Sequence, residues 1–173
     1  MDKYSKEELQ EMADIADTFE KKIMEFASDV ESENSVQAIL KGHLYIEHEL
    51  RELLARNIKN PNFLKIDRIK FSDLTNWVFA LGLLPKEIHQ AVKKINELRN
   101  ACAHNLRYTL GVDECKSLED SLSGDIKKKY KRFASSKKGP INEIMKLQMI
   151  LFTVWNTIQT INDMPDKFKD KIE

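Results

Sequence analysis

Apolar residues recur along most of the chain at three- and four-residue intervals, the period of a helix with one buried face. Ser5 and Glu8 have capping-box spacing, and Met12, Ile15, Phe19, Ile23 and Phe26 follow them on one stripe, which predicts a first helix from about Lys6 to Ser28. Glu31 to Ser35 is a polar break, with Ser35 as the expected cap of a second helix. That helix runs to about Ile58, because the residue before Pro61 resists the helical conformation. Ser72 is the expected cap of a short third helix ending at Gly82, and Pro85 suits the first turn of a fourth, from about Lys86 to Arg107. A last long helix is expected from Gly139-Pro140 onward. Ile144, Ile150, Leu151, Val154, Trp155 and Ile158 spread around much of its circumference and place it at the centre of a bundle.

Between these lies a polar stretch, residues 109–139, broken by Gly111, Gly124 and Gly139 and expected to hold one or two short helices as a mobile insertion. The reading is an all-α, single-domain bundle spanning residues 1–173. Its core is about 6–107 and 140–162, and a charged, loose tail covers 163–173. No strand-like alternation, internal repeat or low-complexity tract interrupts it.

Two wheels carry polar residues where apolar ones belong. In the fourth helix Ile88, Val92, Ile95, Cys102 and Leu106 form one stripe with Arg99 near its middle, and Asn96, Asn100 and His104 run beside it one turn apart. In the second helix His43 and Glu47 fall inside the face defined by Ile39, Leu40, Ile46, Leu50 and Leu54. An unpaired buried charge costs several kcal/mol. The expectation is therefore a buried ion pair between Glu47 and Arg99 with His43 nearby. Wheels alone leave a structural and a functional role for this pair equally open.

Composition narrows the chemistry. Lys plus Arg and Asp plus Glu both number 28, so no net positive charge supports a duplex-DNA binder, and any nucleic-acid contact must use a local patch. One such patch is Lys127, Lys128, Lys129, Lys131 and Arg132, continued by Lys137 and Lys138, with Tyr130 and Phe133 interleaved. Lysines neutralise phosphates and aromatics stack on bases, although a solvated charged surface has the same composition. Cys102 and Cys115 form neither a zinc knuckle nor a disulfide framework, and no histidine has metal-ligand spacing with them, so neither metal nor cofactor is expected. Cys102 reads as a small buried hydrophobe, and Trp77 and Trp155 as core or interface anchors. His48 and His89 read as surface residues. The polar start MDKYSKEELQ and the short apolar runs predict no signal peptide and no membrane span, hence a cytoplasmic protein.

The string Glu97-Leu98-Arg99-Asn100-Ala101-Cys102-Ala103-His104 resembles the Arg-Asn-x-x-x-His signature of the HEPN superfamily, helical bundles that include many metal-independent ribonucleases. Gly42 to Glu47 followed by Leu50, and Trp77 to Pro85 with Ile88 and Ile95, resemble its mannitol-operon-repressor-like branch, so the likeness spans roughly Val36 to His104. Members of that branch often lack the full Arg and His pair and are regarded as non-catalytic; this chain keeps both. The resemblance implies a homodimer with a composite cleft that cuts RNA to a 2′,3′-cyclic phosphate. In it His104 exchanges protons, Arg99 holds the phosphate, Asn100 orients the imidazole or holds a phosphate oxygen, and Glu47 positions Arg99 with His43 beside the pair. A toxin or antiviral-defence role, with a cognate antitoxin or other partner protein, is implied as well. The alternatives are a non-catalytic regulator and a module that binds RNA or a partner without cutting.

Overall fold

The computed structural model describes residues 5–165. Within them lie seven α-helices and no strand: α1 Lys6–Val30, α2 Ser35–Asn57, α3 Phe71–Ala80, α4 His89–His104, α5 Val112–Asp120, α6 Gly124–Ser136 and α7 Glu143–Asp163. Most of the expected tail, from residue 166 onward, lies outside the described residues.

Local chemistry sets most boundaries. Ser5 and Glu8 close the expected capping box on α1. Asn34, rather than Ser35, caps α2, its Oδ1 accepting from the amides of Val36 and Gln37. An N-cap side chain must reach back over the first turn, and Asn34 stands one residue earlier where it can do so. α3 starts at Phe71, ahead of the expected Ser72 cap, and its chain reverses at Gly82, whose φ of +68° favours glycine. Pro85 leads into a 3₁₀ turn, Lys86–Ile88, from which α4 continues. α7 begins at Glu143 under an Asn142 cap rather than at Gly139-Pro140.

α7 is the central post, as its apolar circumference predicts: Leu147, Ile150, Leu151, Val154, Trp155 and Ile158 are buried. It packs most extensively against α2. The two approach closely at Gly42, where an added Cβ would come within 2.8 Å of Leu151 Cδ1, so only glycine fits without repacking. Phe26 of α1 stacks on Trp155 with ring centroids 4.3 Å apart. The 109–139 stretch is not an insertion outside the core. Cys115 and Leu118 of α5, Leu122, and Ile126 and Tyr130 of α6 are all buried, with both helices packed on α7. Its high polarity reflects two helices with one wet face each, a pattern that a composition scan averages away.

Trp155 is a core anchor, whereas Trp77 is largely exposed and Cys102 only half-buried. His48 is exposed as expected; His89 is half-buried, its ring edge-on to Phe79 at 4.5 Å. No helix of the described residues is long and apolar enough to cross a membrane.

Candidate functional site

α4 begins beside the C-terminal half of α2: Gly82 and Leu83 lie with Leu53, and Pro85 lies with Thr157 of α7. From there it runs antiparallel to α2 and meets it where His43 faces Asn96, Nε2 to Oδ1 at 3.2 Å. Residues of α4 beyond Asn96 therefore lie toward the N-terminal end of α2.

At this crossing His43 is 3% exposed, tilted against the Phe71 ring at 4.2 Å. Asn96 Oδ1 accepts, so Nε2 carries the proton and Nδ1 its lone pair. Glu47 Oε2 stands 3.7 Å from Nδ1. Burial lowers the His43 pKa below its ordinary value of 6.5; Asn96 and the Glu47 carboxylate oppose the shift, and the positive charge of Arg99 adds to it. The imidazole is thus a neutral bridge between α2 and α4.

The expected Glu47–Arg99 pair does not form. Glu47 is bound instead by Arg51, one turn along α2, which also donates to the carbonyls of Ile66 and Ile69 and so pins the segment before α3. The i,i+4 spacing of Glu47 and Arg51 was the signal in the sequence for this pairing. Arg99 is exposed and has no carboxylate within ion-pairing distance among the described residues. Its Nη1 donates to Asn100 Oδ1 at 3.2 Å. The physical reason is the end of the bundle. Arg99 has the inward azimuth that the wheel assigns, but cover thins past Asn96: Leu98 is still buried and Cys102 half-buried against the core, whereas Ala103 is exposed, as are Leu40 and Leu44 of α2. α4 also stops at His104, three residues before the expected Arg107, and Leu106 is fully exposed rather than part of the stripe.

The structure therefore brings Arg99, Asn100 and His104 to one open helix end. Asn100 and His104 share a face one turn apart, and the contact with Asn100 draws the guanidinium toward that face. His43 and Glu47 sit one layer deeper, holding the crossing rather than touching Arg99. Such an end offers a cationic fork, an amide and an imidazole spread over about 7.5 Å of helix rise.

The basic stretch on α6 is arranged differently from its expected form. Lys127 and Lys128 are paired with Asp120 (3.2 Å) and Asp125 (2.8 Å). Tyr130 is buried, and Phe133 packs against Phe152 with centroids 5.4 Å apart, so Tyr130 offers no face for base stacking and Phe133 has one side already occupied. Lys129, Lys131 and Arg132 remain exposed without a carboxylate partner among the described residues. Among those residues no group of three or more His, Cys, Asp and Glu is placed to hold a metal ion. Comparison with models of known protein families, with curated proteins and with solved structures finds no match to this chain.

Proposed function

We propose that the protein is a metal-independent endoribonuclease whose site is the open end of α4, completed by a second copy of the chain. The observation that supports this most is the state of Arg99: a guanidinium at a core azimuth, left exposed, without an acidic partner, and directed by Asn100 toward the stripe that ends in His104. A residue kept only for structure at that azimuth would be apolar or paired.

Cleavage needs a base for the ribose 2′-hydroxyl, an acid for the departing 5′-oxygen, and positive charge at the phosphate. His104 takes the 2′-hydroxyl proton as the oxygen attacks phosphorus; the P–O5′ bond breaks, leaving a 2′,3′-cyclic phosphate and a 5′-hydroxyl. One chain supplies a single imidazole at this place. His104 of a second copy, docked about a two-fold axis over the uncovered Leu40, Leu44 and Ala103, supplies the acid, and both Arg99 side chains face the phosphate. Homodimers about such an axis are the commonest assemblies. The resemblance extends this reading to a toxin or antiviral-effector role in the cytoplasm with a cognate inhibitor.

The test is incubation with single-stranded RNA in EDTA beside His104→Ala and Arg99→Ala. The wild type should leave cyclic-phosphate ends, and both variants should lose at least about a hundredfold in rate, as expected for loss of a proton-transfer group. Equal cleavage by all three removes the assignment. A non-catalytic regulator or partner-binding module is the second reading, favoured by the exposed leucines beside the site; absence of cleavage by a dimeric wild type over many RNAs selects it.

A further inference from the structure

The crossing of α2 and α4 uses only half of the Asn96 carboxamide. Oδ1 is turned onto the His43 imidazole, 3.2 Å from Nε2. The two branches of a carboxamide diverge, so Nδ2 faces away from the ring. It has no acceptor among the described residues, and it is not sealed: the enclosed side-chain polar atoms left without a partner belong to Tyr108, Trp155, Asn156, Gln159 and Asn162. Asn96 is half-buried at the edge of the crossing, and its amino group opens to solvent.

Asn100, one turn on along the same stripe, repeats the arrangement. Its Oδ1 accepts from Arg99 Nη1 at 3.2 Å, and its Nδ2 has no acceptor among the described residues. Each amide is thus tied through its oxygen and is left to donate outward. Reading a base edge such as adenine takes an amide that donates and accepts together. A phosphate oxygen only accepts, and donors that hold it carry no sequence information. Glu97, the carboxylate between the two amides in the chain, is taken up by Lys94 at 3.1 Å.

Position along the helix gives the two amides different tasks. Asn100 adjoins Arg99, whereas Asn96 stands about 6 Å of helix rise before Asn100 and about 12 Å before His104. A phosphate held by Arg99 and within proton-transfer reach of His104 lies on the far side of Asn100 from Asn96. Asn96 therefore meets another phosphate of the strand. We infer that Asn96 is a second phosphate contact of this site: Nδ2 holds the phosphate next to the one under attack, and the preferred substrate is an RNA strand longer than a dinucleotide, held without regard to its bases. The inference rests on the end of α4 being the RNA-cleaving site. It gives His43 a task there too, because the imidazole that engages Oδ1 fixes which branch of Asn96 faces the strand.

The test separates holding from cutting. Hexanucleotides of deoxyuridine and of deoxyadenosine lack the attacking 2′-hydroxyl and report binding alone. Labelled with fluorescein, both should bind the full chain in anisotropy titrations, with affinities within about threefold of each other. Asn96→Asp keeps an acceptor for His43 and puts a negative oxygen in place of the outward donor; it should weaken both about tenfold, with circular dichroism showing it folded. In RNA cleavage its loss should fall on KM rather than kcat, and more for a hexanucleotide than for a dinucleotide. In the wild type the side-chain amide resonances of Asn96 should shift on saturation with either hexanucleotide, a signal that a purely structural Asn96 does not give.

Absence of binding, unchanged affinity in folded Asn96→Asp, or amide resonances that stay in place at saturation overturns the inference. A loss confined to one of the two bases assigns Asn96 to base reading and overturns it equally. Failure of the cleavage assignment looks different. Hexanucleotides bound through Asn96 by a wild type that cuts no RNA uphold the phosphate contact and remove the cleavage. RNA cleavage with a KM that Asn96→Asp leaves unchanged does the reverse.

Discussion

Ile88, Val92 and Ile95 in the first half of α4 are fully buried, whereas Arg99 on the same stripe faces solvent and Cys102 beyond it is only half-buried. Both halves share one azimuth; they differ in what lies opposite. α4 packs on α2, α3, α5 and α7, and its second half extends past the His43–Asn96 crossing, where α2 itself exposes Leu40 and Leu44. A helical wheel resolves direction around an axis and is blind to position along it relative to neighbours. That gap is where a charged residue can hold a core azimuth without the cost of burial.

This contrast is sharpest in stability. Ile95→Ala removes a fully enclosed side chain and should cost about 2–5 kcal/mol. Arg99→Ala, a few residues along the same stripe, should change stability by no more than about 0.5 kcal/mol, as for an exposed site. Urea unfolding of both variants measures the two directly. A loss above about 2 kcal/mol for Arg99→Ala would show that the guanidinium is a structural group after all.

A smaller effect is expected at the crossing itself. Burial holds the His43 pKa below 6.5, so the unfolded chain binds a proton that the folded chain refuses between the folded value and 6.5. The stability that His43 contributes is intact above about pH 6.5 and declines as pH falls through that window, by at most about 1.4 kcal/mol per pH unit. His89 is shifted in the same direction by partial burial and Lys93, so it adds to the slope with the same sign. His43→Gln, which keeps a donor for Asn96, should flatten the acid limb more than His89→Gln does. An unchanged slope in His43→Gln would mean that the imidazole is not held neutral at the crossing.

The smallest effect joins the two halves. Arg99 disfavours the charged form of His43 through space, and Glu47 favours it. Titration of the His43 ring by NMR should therefore show its pKa rising in Arg99→Gln and falling in Glu47→Gln. Opposite signs would contradict the described placement of both groups around the ring.

The fold was largely legible because its helices carry their instructions locally. The Ser5 and Glu8 box, the break before Pro61 and the all-round apolar character of α7 each act within a turn or two. Residues 109–139 hold the two short helices their breaks predict, but the share these take in the core is not legible, because α5 and α6 bury narrow stripes and the surrounding lysines hide Leu118, Leu122, Ile126 and Tyr130 from any compositional view. At the site, the identities Arg99, Asn100 and His104 and their shared helix are readable, and the i,i+4 spacing of Glu47 and Arg51 is readable too, but not which of two cations takes the carboxylate. Two cations competed for that carboxylate, Arg51 in the next turn and Arg99 on another helix. The nearer one needs no long-range geometry, and it prevailed.

The central claim is that the exposed end of α4 becomes a complete RNA-cleaving site only when two copies meet. It is tested most directly by the cleavage rate per chain across a dilution series of the wild-type protein, with sedimentation run on the same samples. The rate per chain should fall as the dimer dissociates and vanish with it. A rate per chain that stays constant down to the monomer would contradict the account.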